Sequence, residues 1–201
     1  MSKDGVVHTW FPKTIFMKDD VLLDKLDSYE VKIKDLIQQN NTDGCEMLAV
    51  KSTHKTYDKL HTEPEFADLV EEIYKTSTGY LKTLGYGDSY IKKLSIGNMW
   101  SNVSHANDYI FPHVHKVSVL SGAFYVKSFP GSKIIFFNNI NDTSTPVAEN
   151  NNQLNYETCK YDCNPGRLLI FRSDFLHGTP MQTEGEKIVI SFNIGLYSQD
   201  V

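Results

Sequence analysis

Seven histidines occur in the chain, and three have a type and spacing that could do chemistry. His113 and His115 lie two apart in a segment, residues 109–115, that reads as a strand. A period of two puts both imidazoles on one face, where they can converge on a single ion. His177 follows His115 by 62 residues, just beyond a second apolar segment and the turn-like pair Ser173-Asp174. In an antiparallel barrel, residues so far apart in sequence become neighbours. Imidazole suits iron, zinc, copper or nickel. Taken alone, His-x-His also describes a half-exposed strand with two polar residues on one face. His8, His54, His61 and His105 sit among polar residues and read as solvated or structurally bonded side chains. Cys159 and Cys163 read as plain thiols rather than a metal half-site, since free cysteine packs as a small hydrophobe.

The elements that must position these histidines change character along the chain. Residues 6–17 hold apolar pairs broken by Pro12, the pattern of an edge strand that tolerates a missing donor. Leu22, Leu26, Tyr29, Ile33 and Ile37 then recur at helical spacing, with Asp19 or Asp20 as the expected cap and the turn Asn40 to Gly44 as the stop. A second helix is expected from Thr62, with Thr62 and Glu65 as a capping box, Pro64 in its first turn, and Gly85 and Gly87 ending it. Residues 45–60 between the helices read as a weak strand plus loop. After Ser89 the pattern turns to β-branched and aromatic runs. Strands are expected at 90–100, 109–115, 120–128, 133–138, 154–161, 167–171 and 187–197, with a hairpin at Pro130-Gly131-Ser132 and a tight turn at Pro165-Gly166. Many short strands in succession imply a sandwich or barrel. The Asn-rich stretch from Asn138 to Asn155 reads as a long mobile loop near the mouth of the site.

With 201 residues, the expectation is a single domain over 1–201: an N-terminal strand and helical support over 1–88 and a β core over 89–201. Hydrophobic residues make up 40% and charged residues 22%, which is ordinary for a soluble globular protein. The formal charge of −5, with both signs interspersed, argues against nucleic acid as the main partner. No apolar run is long enough to span a membrane, and the first ten residues lack an apolar signal core. Three cysteines, Cys45 included, do not suggest a disulfide framework, so the cytoplasm is the expected location.

Beyond these patterns, the segment from Trp100 to Val126 resembles the 2-oxoglutarate/Fe(II)-dependent oxygenases of bacteria and their phages. It contains His113-Val114-His115, Ser118 and Ser121-Gly122-Ala123-Phe124-Tyr125, matching their H-x-H-x-x-S-x-x-S-G-x-x-Y segment. Pro165-Gly166-Arg167-Leu168 through His177 resembles their Pro-Gly strand and distal histidine. The run from Lys187 to Asn193 resembles their closing strand, and Phe11 to Phe16 their opening one. The resemblance therefore covers almost the whole chain. It implies a mainly β fold with N-terminal helices, in which the core is a double-stranded β-helix (jelly roll, cupin-like).

The resemblance also implies a site. In that superfamily the usual ligands are H-x-D/E plus a distal His, with open positions for 2-oxoglutarate and oxygen. His113 and His177 match the outer ligands, and His115 stands where a carboxylate is usual. Asp108 and Asp174 are alternative carboxylates without the expected spacing. Lys187, ten residues after His177, stands where the superfamily places a cation for the distal carboxylate of 2-oxoglutarate. Arg167 and Arg172 are alternative partners, and Tyr125 and Asn193 could add hydrogen bonds to the cosubstrate. Trp100 and Asn102 are expected to border the site, although Trp100 reads more readily as core. The implied cofactors are Fe(II), 2-oxoglutarate and molecular oxygen. The implied reaction hydroxylates a small molecule or a protein side chain while 2-oxoglutarate is decarboxylated to succinate. Two other readings stay open: a three-His cupin-type enzyme that does not use 2-oxoglutarate, and a non-catalytic ligand-binding jelly roll.

Overall fold

A computed structural model describes residues 8–10, 12–39, 50–138, 149–150 and 152–197. Among these residues, ten strands form two antiparallel sheets. The larger contains β1 (Ile15–Lys18), β2 (Lys51–Ser52), β3 (Ser95–Ser104), β5 (Leu120–Lys127), β8 (Leu168–Arg172) and β10 (Lys187–Gly195), in the order β1-β8-β5-β10-β3-β2. The smaller contains β4 (Ile110–His113), β6 (Lys133–Phe137), β7 (Thr158–Asp162) and β9 (His177–Thr179), in the order β4-β9-β6-β7. Between β3 and β10 the chain alternates from sheet to sheet, except that β6 and β7 are successive in the smaller one. This winding is the double-stranded β-helix.

The larger sheet is covered on both faces, and the sequence alternates accordingly. On β10, Ile188, Ile190, Phe192 and Ile194 join the core shared with α1 (Leu26–Gln39) and α2 (Ala67–Thr83). Their alternates Lys187, Val189, Ser191 and Asn193 line a cavity between the sheets. On β3, Met99 and Val103 face the helices while Asn98, Trp100 and Asn102 face the cavity. Alternating polar residues usually mark a solvated face. Here they are buried: Asn102 and Lys187 are each 3% exposed and Asn193 is 5% exposed. A buried polar face needs partners or a ligand.

Both helices dock through apolar stripes. Tyr29, Ile33 and Leu36 of α1 and Leu69, Ile73, Tyr80 and Leu81 of α2 are buried, and Tyr29 meets Phe124 of β5 edge-on at 6.3 Å. Burial of each such side chain stabilises by roughly 1.5–3 kcal/mol, so Phe124→Ala should cost about 3–5 kcal/mol. No helix among the described residues is long and apolar enough to cross a membrane.

Several sequence expectations need correction. The first helix has no aspartate cap: it opens through a 3-10 turn after Leu22, and Asp19 instead pairs with Arg167 at 2.6 Å. The Thr62–Glu65 capping box does not form, because Thr62 Oγ1 donates to the Lys59 carbonyl while Glu65 pairs with Lys32. Two 3-10 turns cover that stretch, and α2 begins at Ala67. Residues 90–94 are not strand, since α3 (Asp88–Ile91) precedes β3. Pro130-Gly131-Ser132 is no hairpin, because β5 and β6 belong to different sheets. The turn from Asn40 to Gly44 and most of the Asn138–Asn155 loop lie outside the described residues.

Candidate metal centre

His113 and His177 face each other across the ladder. β4 and β9 pair antiparallel with His113 directly opposite His177, which brings the two rings to 4.4 Å between centroids. Gly178 lets the strands come this close: a Cβ there would lie 2.7 Å from the Ile110 carbonyl oxygen. β9 is only three residues long, too short for a periodicity signal. His115 lies past the end of β4, not within a strand as expected. Its N–H donates to the Ser173 carbonyl at 2.9 Å, which still turns its ring to the other two. The His115 and His177 Nε2 atoms are 3.3 Å apart.

The tautomers are set by the main chain. Nδ1–H of His113 donates to the Phe111 carbonyl and that of His177 to the Phe175 carbonyl, each at 2.8 Å. In the neutral ring this leaves Nε2 with a free lone pair. Burial, aided by the neighbouring imidazoles, pushes the His115 pKa down to about 3 and that of His177 to about 4. Near neutral pH both are uncharged and need no deprotonation before binding a cation. One ligand atom from each of the three residues falls within 4.8 Å of the others. Three imidazoles at this spacing fit a divalent transition ion.

The histidines open onto a cavity of 380 Å³ that also holds Lys187, Tyr125, Trp100 and Asn102. Lys187 is not a surface residue. Burial holds its pKa below the usual lysine value, and it has no ion-pair partner among the described residues. Tyr125 lies beside the buried Cys163 thiol, whose pKa burial raises while the charge of Lys187 draws it back down. Asn102 Oδ1 is buried and has no hydrogen-bond partner among the described residues. Asn193 also lines the cavity, but its Oδ1 accepts from Ser121 and its amide donates to Asn98. The alternatives lie elsewhere. Arg167 is held by Asp19, Arg172 and Asp174 pair with each other, Asp108 accepts from the His105 N–H, and none of them lines the cavity.

The sequence reading missed His54, which lines the cavity with its ring 4.3 Å from that of Trp100. Its only signal was long-range. Ser52 of β2 pairs with Asn102, and that register carries His54 past Trp100. Of the other histidines, His105 lies 3.3 Å from Glu186, and His8 is exposed and stacked on Trp10.

Comparison with known proteins meets this geometry directly. Residues 98–193 match a family model described as "Putative 2OG-Fe(II) oxygenase". Residues 98–193 are a 2OG-Fe(II) oxygenase domain. No curated protein sequence matches the chain. Among solved structures, a prolyl-4-hydroxylase of Pseudomonas putida is similar with a TM-score of 0.64 at 8% identity, covering 92% of this chain and 94% of that one. HygX from Streptomyces hygroscopicus, with nickel and 2-oxoglutarate bound, gives 0.61 at 12% identity over 91% and 82%. The viral collagen prolyl hydroxylase of Paramecium bursaria Chlorella virus-1, in its 2-oxoglutarate complex, gives 0.56 at 14% identity over 90% and 94%. At these identities the likeness shows the fold. The 2OG-Fe(II) domain thus contains the whole His-x-His segment, the distal histidine and Lys187.

Proposed function

We propose that this oxygenase holds Fe(II) on His113, His115 and His177 and binds 2-oxoglutarate with Lys187 and Tyr125 in the same cavity. The observation that carries this reading is the ammonium group of Lys187, buried without an ion-pair partner among the described residues, in the cavity that also holds the three imidazoles. An uncompensated buried cation is costly, and an anionic ligand removes the cost. Three neutral ligands leave a divalent ion with its full charge, where a site with one carboxylate keeps one unit less. Together with Lys187, such a centre suits a dianion. Fe(II) bound here supplies the redox chemistry that couples decarboxylation of 2-oxoglutarate to hydroxylation of a C–H bond. The chain's own residues bind, orient and exclude water. Lys187 pairs with the distal carboxylate, Tyr125 lies beside it, and the apolar walls Ile134, Phe171 and Val189 keep that end dry.

The substrate enters on the other side, past Phe111, Val114 and Lys116, against His54 and Trp100. Among the described residues the lining contains no Asp or Glu, which favours a neutral or anionic small molecule or side chain over a cationic one. The net charge of −5 argues against nucleic acid. We read the chain as one domain, because strands β1 and β2 from its N-terminal part form both edges of the larger sheet. A cytoplasmic location fits the free thiols of Cys159 and Cys163.

A three-His enzyme without 2-oxoglutarate remains the second reading, favoured by the absence of a carboxylate from the ligand group. Succinate release under Fe(II) and oxygen, with metal content measured on the same sample, decides between them. Succinate formation that depends on His177 and Lys187 supports the first reading. Bound metal without succinate, or without any 2-oxoglutarate affinity, supports the second.

A further inference from the structure

His115 is the histidine that no strand holds. Its position rests on the N–H bond to the Ser173 carbonyl, and Ser173 is itself anchored by its own N–H, which donates to the Val119 carbonyl at 3.2 Å, and by a buried chain of side-chain hydrogen bonds. The Ser173 and Ser121 hydroxyls are 2.8 Å apart, and Ser121 Oγ–H donates to Asn193 Oδ1 at 2.7 Å. Asn193 Nδ2 donates to Asn98 Oδ1 at 2.9 Å. A serine has one hydroxyl proton, and that of Ser121 is committed to Asn193, so Ser173 must donate to Ser121. The direction of the whole chain is thereby fixed. It runs from the β8–β9 turn through β5 and β10 to β3. Ser121 and Ser173 are each 1% exposed and Asn193 is 5% exposed, so water does not compete for these bonds.

We infer that Ser121, Ser173 and Asn193 are positioning residues for His115, holding the Ser173 carbonyl where it fixes the histidine main chain. This gives Asn193 a role through the metal centre rather than through the cosubstrate, and it rests on His115 being a ligand. A histidine on a turn has more freedom than one in a ladder. Without the chain of bonds, the Ser173 turn relaxes and the third imidazole leaves the converged geometry. His113 and His177 would be unaffected, because their register is set by β4 and β9.

The test is a Co(II) titration of metal-free protein, reading affinity and the visible absorption band, with melting temperature as the folding check. Ser121→Ala is made in the parent and in His115→Ala. In the parent it should weaken Co(II) binding about tenfold and shift the band toward that of His115→Ala. In His115→Ala it should change affinity by less than about twofold, since the residue it acts through is gone. Ser121→Thr, which keeps the hydroxyl, should restore binding. If Ser121→Ala does not fold, Ser173→Ala gives the same cycle from the turn side. An equal loss in both backgrounds, or no loss in the parent, overturns the inference while leaving the metal centre standing. An Asn193→Ala variant that binds Co(II) normally but 2-oxoglutarate poorly also overturns it. If His115→Ala itself binds Co(II) as the parent does, the three-His reading fails, and this inference falls with it.

Discussion

Two parts of the metal centre are built in different ways. His113 and His177 are a cross-strand pair, and the hydrogen-bond register that makes the sheet also makes their convergence. His115 sits on a turn, held by one main-chain bond to Ser173 and followed by Val117 in a left-handed backbone conformation. A ladder position is specified many times over by its neighbours, whereas a turn position depends on a few bonds and accepts strain. The contrast teaches that the first two imidazoles are fixed by the fold, while the third is the one whose placement local chemistry can tune. This third position is also where a carboxylate usually stands.

The contrast predicts unequal losses. His113→Ala combined with His177→Ala should reduce iron affinity by about 100-fold or more, since both ladder-held donors are gone. His115→Ala should cost about tenfold, and His115→Asp should retain iron by restoring the common donor set. Elemental analysis of folded variants after equilibration with Fe(II) measures this. Undiminished iron in the double variant would remove the centre altogether. A loss for His115→Ala as large as for the double variant would erase the distinction between ladder and turn.

The proposed cosubstrate end belongs to the ladder-held part, because Lys187 opens β10. Lys187→Met should weaken 2-oxoglutarate binding by about 2–5 kcal/mol while leaving metal affinity unchanged. The same variant should melt higher than the parent when both are free of metal and 2-oxoglutarate, because a buried cation without a partner is replaced by an apolar chain of similar length. Calorimetric binding and thermal melts check the two halves. Unchanged 2-oxoglutarate affinity would end the assignment of Lys187.

How much of this was legible in the sequence follows from the range of each interaction. Alternation along a strand is local, so the longer strands of the core were visible, while the three-residue β9 was not. Their partners are long-range, so the turn at Pro130 was misread as a hairpin when it links two sheets. His113 and His177 stood out by type and context. The expectation that His115 shares a strand face with His113 reached the right convergence by a different physical route, since β4 stops at His113. His54 and the Ser121–Ser173–Asn193 chain were not legible as a site, because each depends on register between strands distant in sequence. Lys187 was placed by resemblance alone, and its burial became visible only with both sheets in position.

Acid should distinguish the buried pair from ordinary surface histidines. The folded pKa values of His115 and His177, about 3 and about 4, lie below the usual 6.5. Between pH 6.5 and 4 the unfolded chain therefore binds more protons than the folded one, and stability falls as the pH falls through that window. For His177 the shift corresponds to about 3 kcal/mol across it. The melting temperature of metal-free protein should drop from pH 7 to 4.5, and His177→Gln should flatten much of that slope. Carboxylates held low by ion pairs, such as Glu30 and Glu186, act mainly below that range and remain in the variant as the control. A parent and a His177→Gln variant with the same slope would contradict the neutral, buried imidazole.

The smallest expected effect probes the strain at the turn. Val117 has φ +66° and is 86% exposed, so it bears a left-handed conformation with almost no packing in return. For a β-branched residue that conformation costs on the order of 1–2 kcal/mol, whereas asparagine adopts it more readily. Val117→Asn should therefore stabilise the protein by about 1 kcal/mol, a rise of roughly 2–4 °C in melting temperature for a chain of this size. It should leave Co(II) affinity unchanged, because the bond from the His115 N–H to Ser173 does not involve the Val117 side chain. No gain in stability would mean that the turn stores no strain. A gain accompanied by weaker metal binding would mean that the restricted valine backbone itself helps to hold His115, so that the turn-held ligand is placed partly by strain as well as by hydrogen bonds.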